Sequence, residues 1–178
     1  MTYHGMGLKD TVKIHADGVM ADGMTVYAGQ MLITYEGVDY EAYCADLDHY
    51  AGSSEVIEVN VYDLVNGDEL AYLCETFVED VSTNIEAAAL QVAIWELLVE
   101  DTGTFDATGG YFSISNNPDV ASEANVLLAA VPDSFQGEAR VTILDSADKQ
   151  DFLIIPEAGT LILLAAFVPV LFGRRRRS

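Results

Sequence analysis

The sequence predicts an α+β fold: an antiparallel β body, either a barrel or a sandwich, with a helical insert and a C-terminal apolar helix. Apolar and polar residues alternate in the first third of the chain and again before residue 156, whereas apolar residues recur at helical spacing in the middle. The chain ends in an apolar run followed by arginines. Strands on either side of a block of helices are typical of α+β domains.

The first strands alternate with a period of two residues and are separated by turn dipeptides. Asp17-Gly18 follows the first predicted strand, and Glu36-Gly37 separates the next two. Such dipeptides favour tight turns between antiparallel strands. The strands predicted in this part of the chain are 11–15, 25–35, 38–46 and 56–62.

The middle of the chain contains start signals for three helices. Asn66 and Glu69 have the spacing of a capping box, as do Thr83 and Glu86, and Asn117 precedes a proline at the first helical position. These patterns favour helix initiation because they satisfy free backbone N–H groups or need none. The remaining predicted elements are helices that end near Val81, Glu100 and Ala130, and strands at 111–115, 140–144 and 152–155.

Length and charge limit the function classes. Residues 1–153 suffice for one domain with one core, and residues 154–178 form a separate terminal segment. The net charge is −21, and without the four terminal arginines four basic residues remain against 29 acidic ones, a net charge of −25. Such a body repels phosphate backbones, so nucleic acid is not an expected partner.

The last 24 residues have three parts in a fixed order. Pro156-Glu157-Ala158 precede an apolar run at 160–172, and Arg174, Arg175, Arg176 and Arg177 follow it. The run is short for a permanent membrane span, and arginines are retained on the cytoplasmic side of a membrane. An ordinary C-terminal anchor is the alternative to a sorting signal, and both place the body outside the cytoplasm.

This order of segments resembles the PEP-CTERM sorting signal of Gram-negative bacteria. The resemblance implies recognition by exosortase, a membrane processing enzyme, with residues 160–172 in the inner membrane before processing. Delivery to the cell surface or to the extracellular polysaccharide matrix is expected to follow. No apolar signal-peptide core occurs in residues 1–13. We therefore expect that the start was assigned too late or that the chain was trimmed.

Gln91 stands at the centre of the apolar face of the second helix, almost opposite Glu86, Glu96 and Glu100. A buried amide must form hydrogen bonds, and one to a neighbouring strand would suffice. Cys44 lies on the inward face of a predicted strand. If that face meets the helix, the Cys44 sulfur can attack the Gln91 carboxamide, expel ammonia and form an internal thioester.

Two segments resemble the thioester domains of bacterial surface adhesins: Tyr43-Cys44-Ala45-Asp46, and Gln91-Val92-Ala93-Ile94-Trp95-Glu96. A group of PEP-CTERM proteins has the same helix motif. The resemblance implies that Cys44 is the acyl carrier, that Gln91 is the acyl donor and that amines on a target surface are acylated. Trp95 is expected to shield the thioester from water, in addition to packing in the core. Leu90 departs from the adhesin pattern, which has Thr before the Gln.

Two alternatives to the thioester remain open. Export favours a disulfide between Cys44 and Cys74, the two cysteines of the chain. A passive polysaccharide-binding module is the alternative function, with stacking surfaces supplied by tyrosines. The tyrosines in question are Tyr27, Tyr35, Tyr40 and Tyr43.

Enzyme activity and cofactors are not expected from the sequence. It contains no nucleotide-binding, serine-hydrolase or zinc-protease motif. Asp46, Asp48 and His49 have the residue types of metal ligands, but one histidine beside two acids in a loop is typical of a solvated turn. The sequence predicts no metal site.

Overall fold

The fold is described from a computed structural model that covers residues 1–100, 104–132, 135 and 140–155. These residues contain seven strands and three α-helices. The strands are Thr2–Ala16 (β1), Thr25–Tyr35 (β2), Val38–Cys44 (β3), Ile57–Asn60 (β4), Phe112–Ser115 (β5), Thr142–Asp145 (β6) and Phe152–Ile154 (β7). The helices are Gly67–Phe77 (α1), Asn84–Val99 (α2) and Pro118–Ala129 (α3).

The strands form one curled antiparallel sheet in the order β4-β6-β7-β3-β2-β1-β5. The predicted α+β class with an antiparallel β body is therefore confirmed. The sheet resembles half of a barrel, with β4 and β5 as its edge strands, so of the two predicted alternatives the barrel is closer and the sandwich is not observed. Strands β3 and β7 are far apart in the sequence but are neighbours in the sheet, which brings the end of the described chain next to Cys44.

Helix α2 lies at the centre of the molecule. It packs against β1, β2, β3 and β5 of the sheet and against α1 and α3. Every residue from Ala87 to Leu97 is buried. The sequence predicted a polar side formed by Glu86, Glu96 and Glu100, and this was wrong for Glu96 and Glu100, which are inaccessible to solvent. The surrounding elements cover the helix on all sides.

A break in the β1–β2 ladder shapes the sheet near the site. Gly29 has a backbone φ of +142°, where side chains are strained, and a Cβ there would collide with the Leu8 carbonyl oxygen. The β1–β2 register shifts between Met6 and Lys9. The β2–β3 ladder ends at the Met31–Ala42 pair, two residues before the end of β3.

Most predicted elements are present, with differences at their ends. Strand β1 extends back to Thr2, well before the predicted residue 11. The predicted strand 56–62 is shorter because it turns into the 3₁₀ turn Val61–Asp63. Helix α1 ends at Phe77 instead of Val81, and the 3₁₀ turn Val78–Asp80 follows it.

All three helices begin directly after the predicted residues Asn66, Thr83 and Asn117, and the capping interactions of the last two are confirmed. Thr83 and Glu86 form the predicted capping box of α2, and the Asn117 side chain accepts a hydrogen bond from Val120 N–H at the start of α3. The capping box predicted at Asn66 was wrong. Asn66 has left-handed backbone geometry, and its side chain makes no hydrogen bond to the first turn of α1.

The predicted C-terminal helix at 160–172 lies outside the described residues, as do the sorting residues Pro156, Glu157, Ala158 and Arg174 to Arg177. In the described part of the chain, no helix has the length and apolar character needed to cross a bilayer.

Candidate functional site

Cys44 is the last residue of β3, at a point where one edge of the strand lacks a neighbouring strand. Its neighbour Ala45 donates its N–H to the Asp151 carbonyl oxygen at 2.9 Å, toward β7. Because backbone groups alternate between the two edges of a strand, the N–H and C=O of Cys44 point the other way, toward β2. Strand β2 has already stopped pairing there.

The side chain of Gln91 occupies this open edge. Its Oε1 accepts a hydrogen bond from the Cys44 N–H at 2.8 Å, and its Nε2 donates one to the Cys44 carbonyl oxygen at 2.8 Å. Both residues are completely buried. The structure therefore brings the two residues of the predicted pair together, 47 positions apart in the chain. The same contact is also the strand hydrogen bond that the simpler interpretation of Gln91 requires.

The Cys44 thiol is held in a dry environment. Its Sγ donates a hydrogen bond to the Asp46 carbonyl oxygen at 2.7 Å. Burial raises the pKa of the thiol to about 12, although the hydrogen bond to Asp46 and the nearby Trp95 indole N–H both partly oppose this rise. The sulfur is therefore protonated at neutral pH.

Trp95 lies one helical turn after Gln91 and is almost fully buried. Its ring packs against Phe112 with 6.4 Å between ring centroids. Its Nε1–H is near enough to the Cys44 thiol to lower the pKa of that thiol slightly. Among the described residues, Nε1 has no hydrogen bond of regular geometry. Trp95 thus lies next to the sulfur and also packs in the core, as both of its predicted roles require.

A cavity of about 230 Å³ reaches Trp95 from the surface. It is lined by four of the five methionines of the chain and by several aromatic residues. The principal lining residues are Met6, Met20, Met24, Met31, Tyr3, Tyr27, Tyr50 and Trp95. Trp95 is shared by this cavity, which we call the methionine cavity, and by the buried Cys44–Gln91 pair.

Comparison with protein-family models, curated proteins and solved structures finds no match for this chain. The two resemblances therefore rest on the motif residues, and the chemistry of the site rests on its geometry.

Cys74 lies on α1 and is buried, and both cysteines are free. Cys74 lies close enough to Tyr43 to contribute to the raised pKa of the Tyr43 hydroxyl. Tyr43 precedes Cys44 and therefore points to the opposite face of β3. Burial raises the pKa of the Cys74 thiol well above its usual value. The structure thus places Cys74 toward the Tyr43 side of the strand, while Cys44 contacts α2.

The loop after β3 contains the acids and the histidine that the sequence pattern offered as metal ligands. His49 Nδ1 lies 2.8 Å from Asp46 Oδ2, and Asp48 N–H donates to Asp46 Oδ1 at 2.6 Å. The hydrogen bond and charge of Asp46 raise the pKa of His49. Across the described ranges, no group of three such side chains is arranged to hold a metal ion.

The predicted stacking tyrosines differ in accessibility. Tyr43 is 1% exposed, so the prediction that it offers a stacking surface was wrong. Tyr27 is 56% exposed and lines the methionine cavity, whereas Tyr35 and Tyr40 are partly buried. Tyr50, which the sequence analysis did not select, is 67% exposed at the same cavity.

Two buried acids, one in α2 and one directly after it, were also missed as structural residues. Glu96 Oε1 accepts a hydrogen bond from Asp106 N–H at 2.8 Å, and Glu100 Oε2 accepts one from Tyr111 N–H at 2.7 Å. Both carboxyl groups thus bind backbone N–H groups of residues that shortly precede β5. Burial raises the pKa of Glu96 to about 7, and the charge of Glu100 adds to the rise. The only sequence signal was the position of Glu96 at the end of the Gln-x-Ala-Ile-Trp-Glu motif.

Proposed function

We propose that this chain is an exported surface or matrix protein that forms an internal thioester between Cys44 and Gln91 and uses it to attach to nucleophiles. The observation that supports the thioester is the two-point hydrogen bonding of the Gln91 carboxamide to the Cys44 backbone, at 2.8 Å on each side. The support for export is the resemblance of residues 154–178 to a sorting signal.

Two features of this arrangement favour the condensation of Cys44 with Gln91. The Cys44 N–H is bonded to Oε1, the oxygen on which negative charge develops when sulfur attacks the carbonyl carbon. The attacking sulfur belongs to the residue whose backbone binds the carboxamide, so the reaction is intramolecular in the folded chain. The S–C bond forms, the C–N bond breaks, and the thiol proton leaves with the nitrogen as ammonia.

The buried environment slows formation and protects the product. A thiol with a pKa of about 12 is a weak nucleophile at pH 7, because only the thiolate attacks rapidly. Once formed, the acyl group is shielded from water by Trp95 and by complete burial. An amine or hydroxyl acceptor would release the Cys44 thiol and form an amide or ester with residue 91.

Intact-protein mass spectrometry tests the thioester. We expect the protein to be lighter than its sequence by one ammonia, and treatment with methylamine should add one methylamine and expose one thiol. Cys44→Ser is the matched control, because it keeps the backbone groups that bind Gln91 and removes the sulfur. Gln91→Ala should also abolish the loss of ammonia.

Two other masses would contradict the proposal. A loss of two hydrogens would indicate the Cys44–Cys74 disulfide, and an unchanged mass would leave Gln91 as a purely structural residue. Gln91→Ala leaves the backbone groups of Cys44 unpaired, at about 1–3 kcal/mol for each buried group. Its folding should therefore be checked by circular dichroism before the mass is interpreted.

A reporter fusion tests the sorting segment. Residues 154–178 are fused to an exported reporter in a Gram-negative host with an exosortase, and we expect a membrane-bound precursor and a processed surface form. Replacing Arg174 to Arg177 with glutamine should reduce membrane retention, because arginine is costly to move through hydrocarbon. Identical processing in a host that lacks exosortase would contradict the proposal.

A further inference from the structure

We infer that nucleophiles reach the Cys44–Gln91 pair through the methionine cavity, whose inner end is closed by the ring of Trp95. The nucleophiles that this path admits are primary ones, at the end of an unbranched alkyl chain. The covalent step rests on the proposed thioester, whereas the path itself leads to the Cys44 sulfur whether or not the thioester has formed.

The inner wall of the cavity consists of residues that surround the sulfur. Trp95 lines the cavity, and its indole N–H is near the Cys44 thiol. Gln150 also lines it, and its Nε2 donates at 3.1 Å to the Asp46 carbonyl oxygen, which accepts the hydrogen bond of Cys44 Sγ at 2.7 Å. Met31, a third lining residue, is where β2 stops pairing with β3. The cavity therefore ends beside the sulfur and its strand.

Trp95 is the side chain that opens the path at the lowest cost. Cys44 and Gln91 are fully buried and do not line the cavity, so Trp95 separates the cavity from the pair. In the part of the chain that the structure describes, Trp95 Nε1 makes no hydrogen bond of regular geometry. Rotation of its ring into the cavity thus breaks no hydrogen bond, whereas movement of Gln150 would break the one to Asp46.

The size and lining of the cavity determine which nucleophiles enter. Its volume of about 230 Å³ is below the usual range for drug-sized ligands, so a branch next to the reacting atom is difficult to accommodate beside Trp95. Met6, Met24 and Leu47 give it an apolar wall. Methionine side chains are flexible and adapt to a chain that passes between them. An unbranched alkyl chain fits this path.

Acyl transfer along the path needs no other reactant. The nitrogen of a primary amine bonds to the carbonyl carbon of residue 91, and the C–S bond breaks. One proton of the amine passes to the Cys44 sulfur, which becomes a free thiol. The mass of the protein rises by that of one amine, so the addition is measured directly.

A pair of isomeric amines tests the selectivity. The unmodified protein is treated at pH 9 with n-butylamine or tert-butylamine, and intact-protein mass spectrometry follows the addition. Each rate is divided by the rate of the same amine with a small soluble thioester, which removes the intrinsic difference between the amines. We expect the protein to prefer n-butylamine by an additional factor of about ten or more, the scale for one misfitting group in an enclosed site. The same preference in both thioesters would overturn the selectivity.

Variants locate the path. Ala51 is half-buried and lines the cavity, so Ala51→Phe should fill it and slow the addition of n-butylamine about tenfold. Val126→Phe is the matched control, because Val126 is exposed and lies outside the cavity. Trp95→Phe keeps an aromatic ring against Phe112 but leaves a gap, so it should accelerate both amines and reduce the preference between them. Circular dichroism checks the folding of each variant. Unchanged rates in Ala51→Phe and Trp95→Phe would overturn the path.

The free thiol provides a second measurement, so that the two proposals fail separately. In protein that has not lost ammonia, methyl methanethiosulfonate modifies free thiols, and peptide mass spectrometry distinguishes Cys44 from Cys74. Ala51→Phe should slow the modification of Cys44 about tenfold and Trp95→Phe should accelerate it, with Val126→Phe unchanged. These effects without any loss of ammonia would overturn only the thioester. Loss of ammonia with amine rates that neither cavity variant changes would overturn only the path.

Discussion

At the scale of single residues, Gln91 pairs with an open strand edge inside the core. The β2–β3 ladder ends before Cys44, and an unpaired N–H and C=O at a buried position would be costly. The Gln91 amide supplies one donor and one acceptor with the spacing of a peptide group. This structural role exists whether or not the sulfur reacts. A glutamine at position 91 is therefore favoured both by the hydrogen bonds to the Cys44 backbone and by the proposed thioester.

Glu96 is a buried residue whose protonation is coupled to folding. Its pKa is about 7 in the folded protein, compared with 4.5 for an ordinary glutamate. The folded state therefore binds a proton more tightly than the unfolded state, and stability falls as the pH rises from about 4.5 to 7. Above the folded pKa no further loss from this group follows.

We predict that Glu96→Gln removes this pH dependence. At pH 8 the variant should be more stable than the unmodified protein by about 1–3 kcal/mol, because a neutral amide needs no desolvation of charge. At pH 4.5 the two proteins should be about equally stable. Urea unfolding at both pH values measures the difference, and a difference that does not change with pH would contradict the prediction.

At the scale of elements, helix α2 depends on a neighbour for its C-terminal end. The Asn66 side chain donates two hydrogen bonds from Nδ2, to the carbonyl oxygens of Leu97 at 2.9 Å and Glu100 at 2.8 Å. The last carbonyl groups of a helix have no partner within the helix. Asn66 therefore ties the start of α1 to the end of α2.

We predict that Asn66→Gly destabilises the protein by about 1–3 kcal/mol, because two buried carbonyl groups lose their donor. Asn66→Ala should cost about 1 kcal/mol more, since the backbone φ of 55° disfavours residues with a Cβ. Thermal and urea unfolding measure both. Equal stability of the glycine and alanine variants would show that the backbone at residue 66 relaxes.

At the scale of the whole molecule, negative charge dominates. The chain has a net charge of −21 at pH 7. In the described structure, basic groups form one ion pair with acids, between His49 and Asp46. Most carboxylates therefore repel one another through solvent, which lowers the stability of the compact state.

We predict that salt stabilises the protein. Raising NaCl from about 0.01 M to 0.15 M shortens the screening length from about 30 Å to 8 Å, which weakens repulsion between surface carboxylates. The unfolding free energy at pH 7 should rise by about 1 kcal/mol, the scale of a few weakened surface pairs. Near the isoelectric point of about 4.1 the effect of salt should nearly vanish. Destabilisation by salt at pH 7 would contradict this prediction.

The sequence by itself determined the α+β class, the approximate strands and helices, and the starts of all three helices. These features are local, because alternation of apolar residues and side-chain caps act over a few positions. It also selected Cys44, Gln91 and Trp95, since a glutamine and a cysteine on inward faces need specific partners. The meaning of the residues after 155 still rests on the sequence pattern.

Only the tertiary structure decided which groups meet. The open edge of β3 arises because the β2–β3 ladder ends at the Met31–Ala42 pair, and no local pattern predicts where a neighbouring strand stops pairing. The burial of Glu96 and Glu100 follows from elements packed around α2, which its own sequence does not contain. Asn66 caps the end of α2 instead of the start of α1 because the distant carbonyl groups are brought to it. Long-range packing selects among hydrogen-bond partners that are locally equivalent, so these contacts were beyond prediction from sequence.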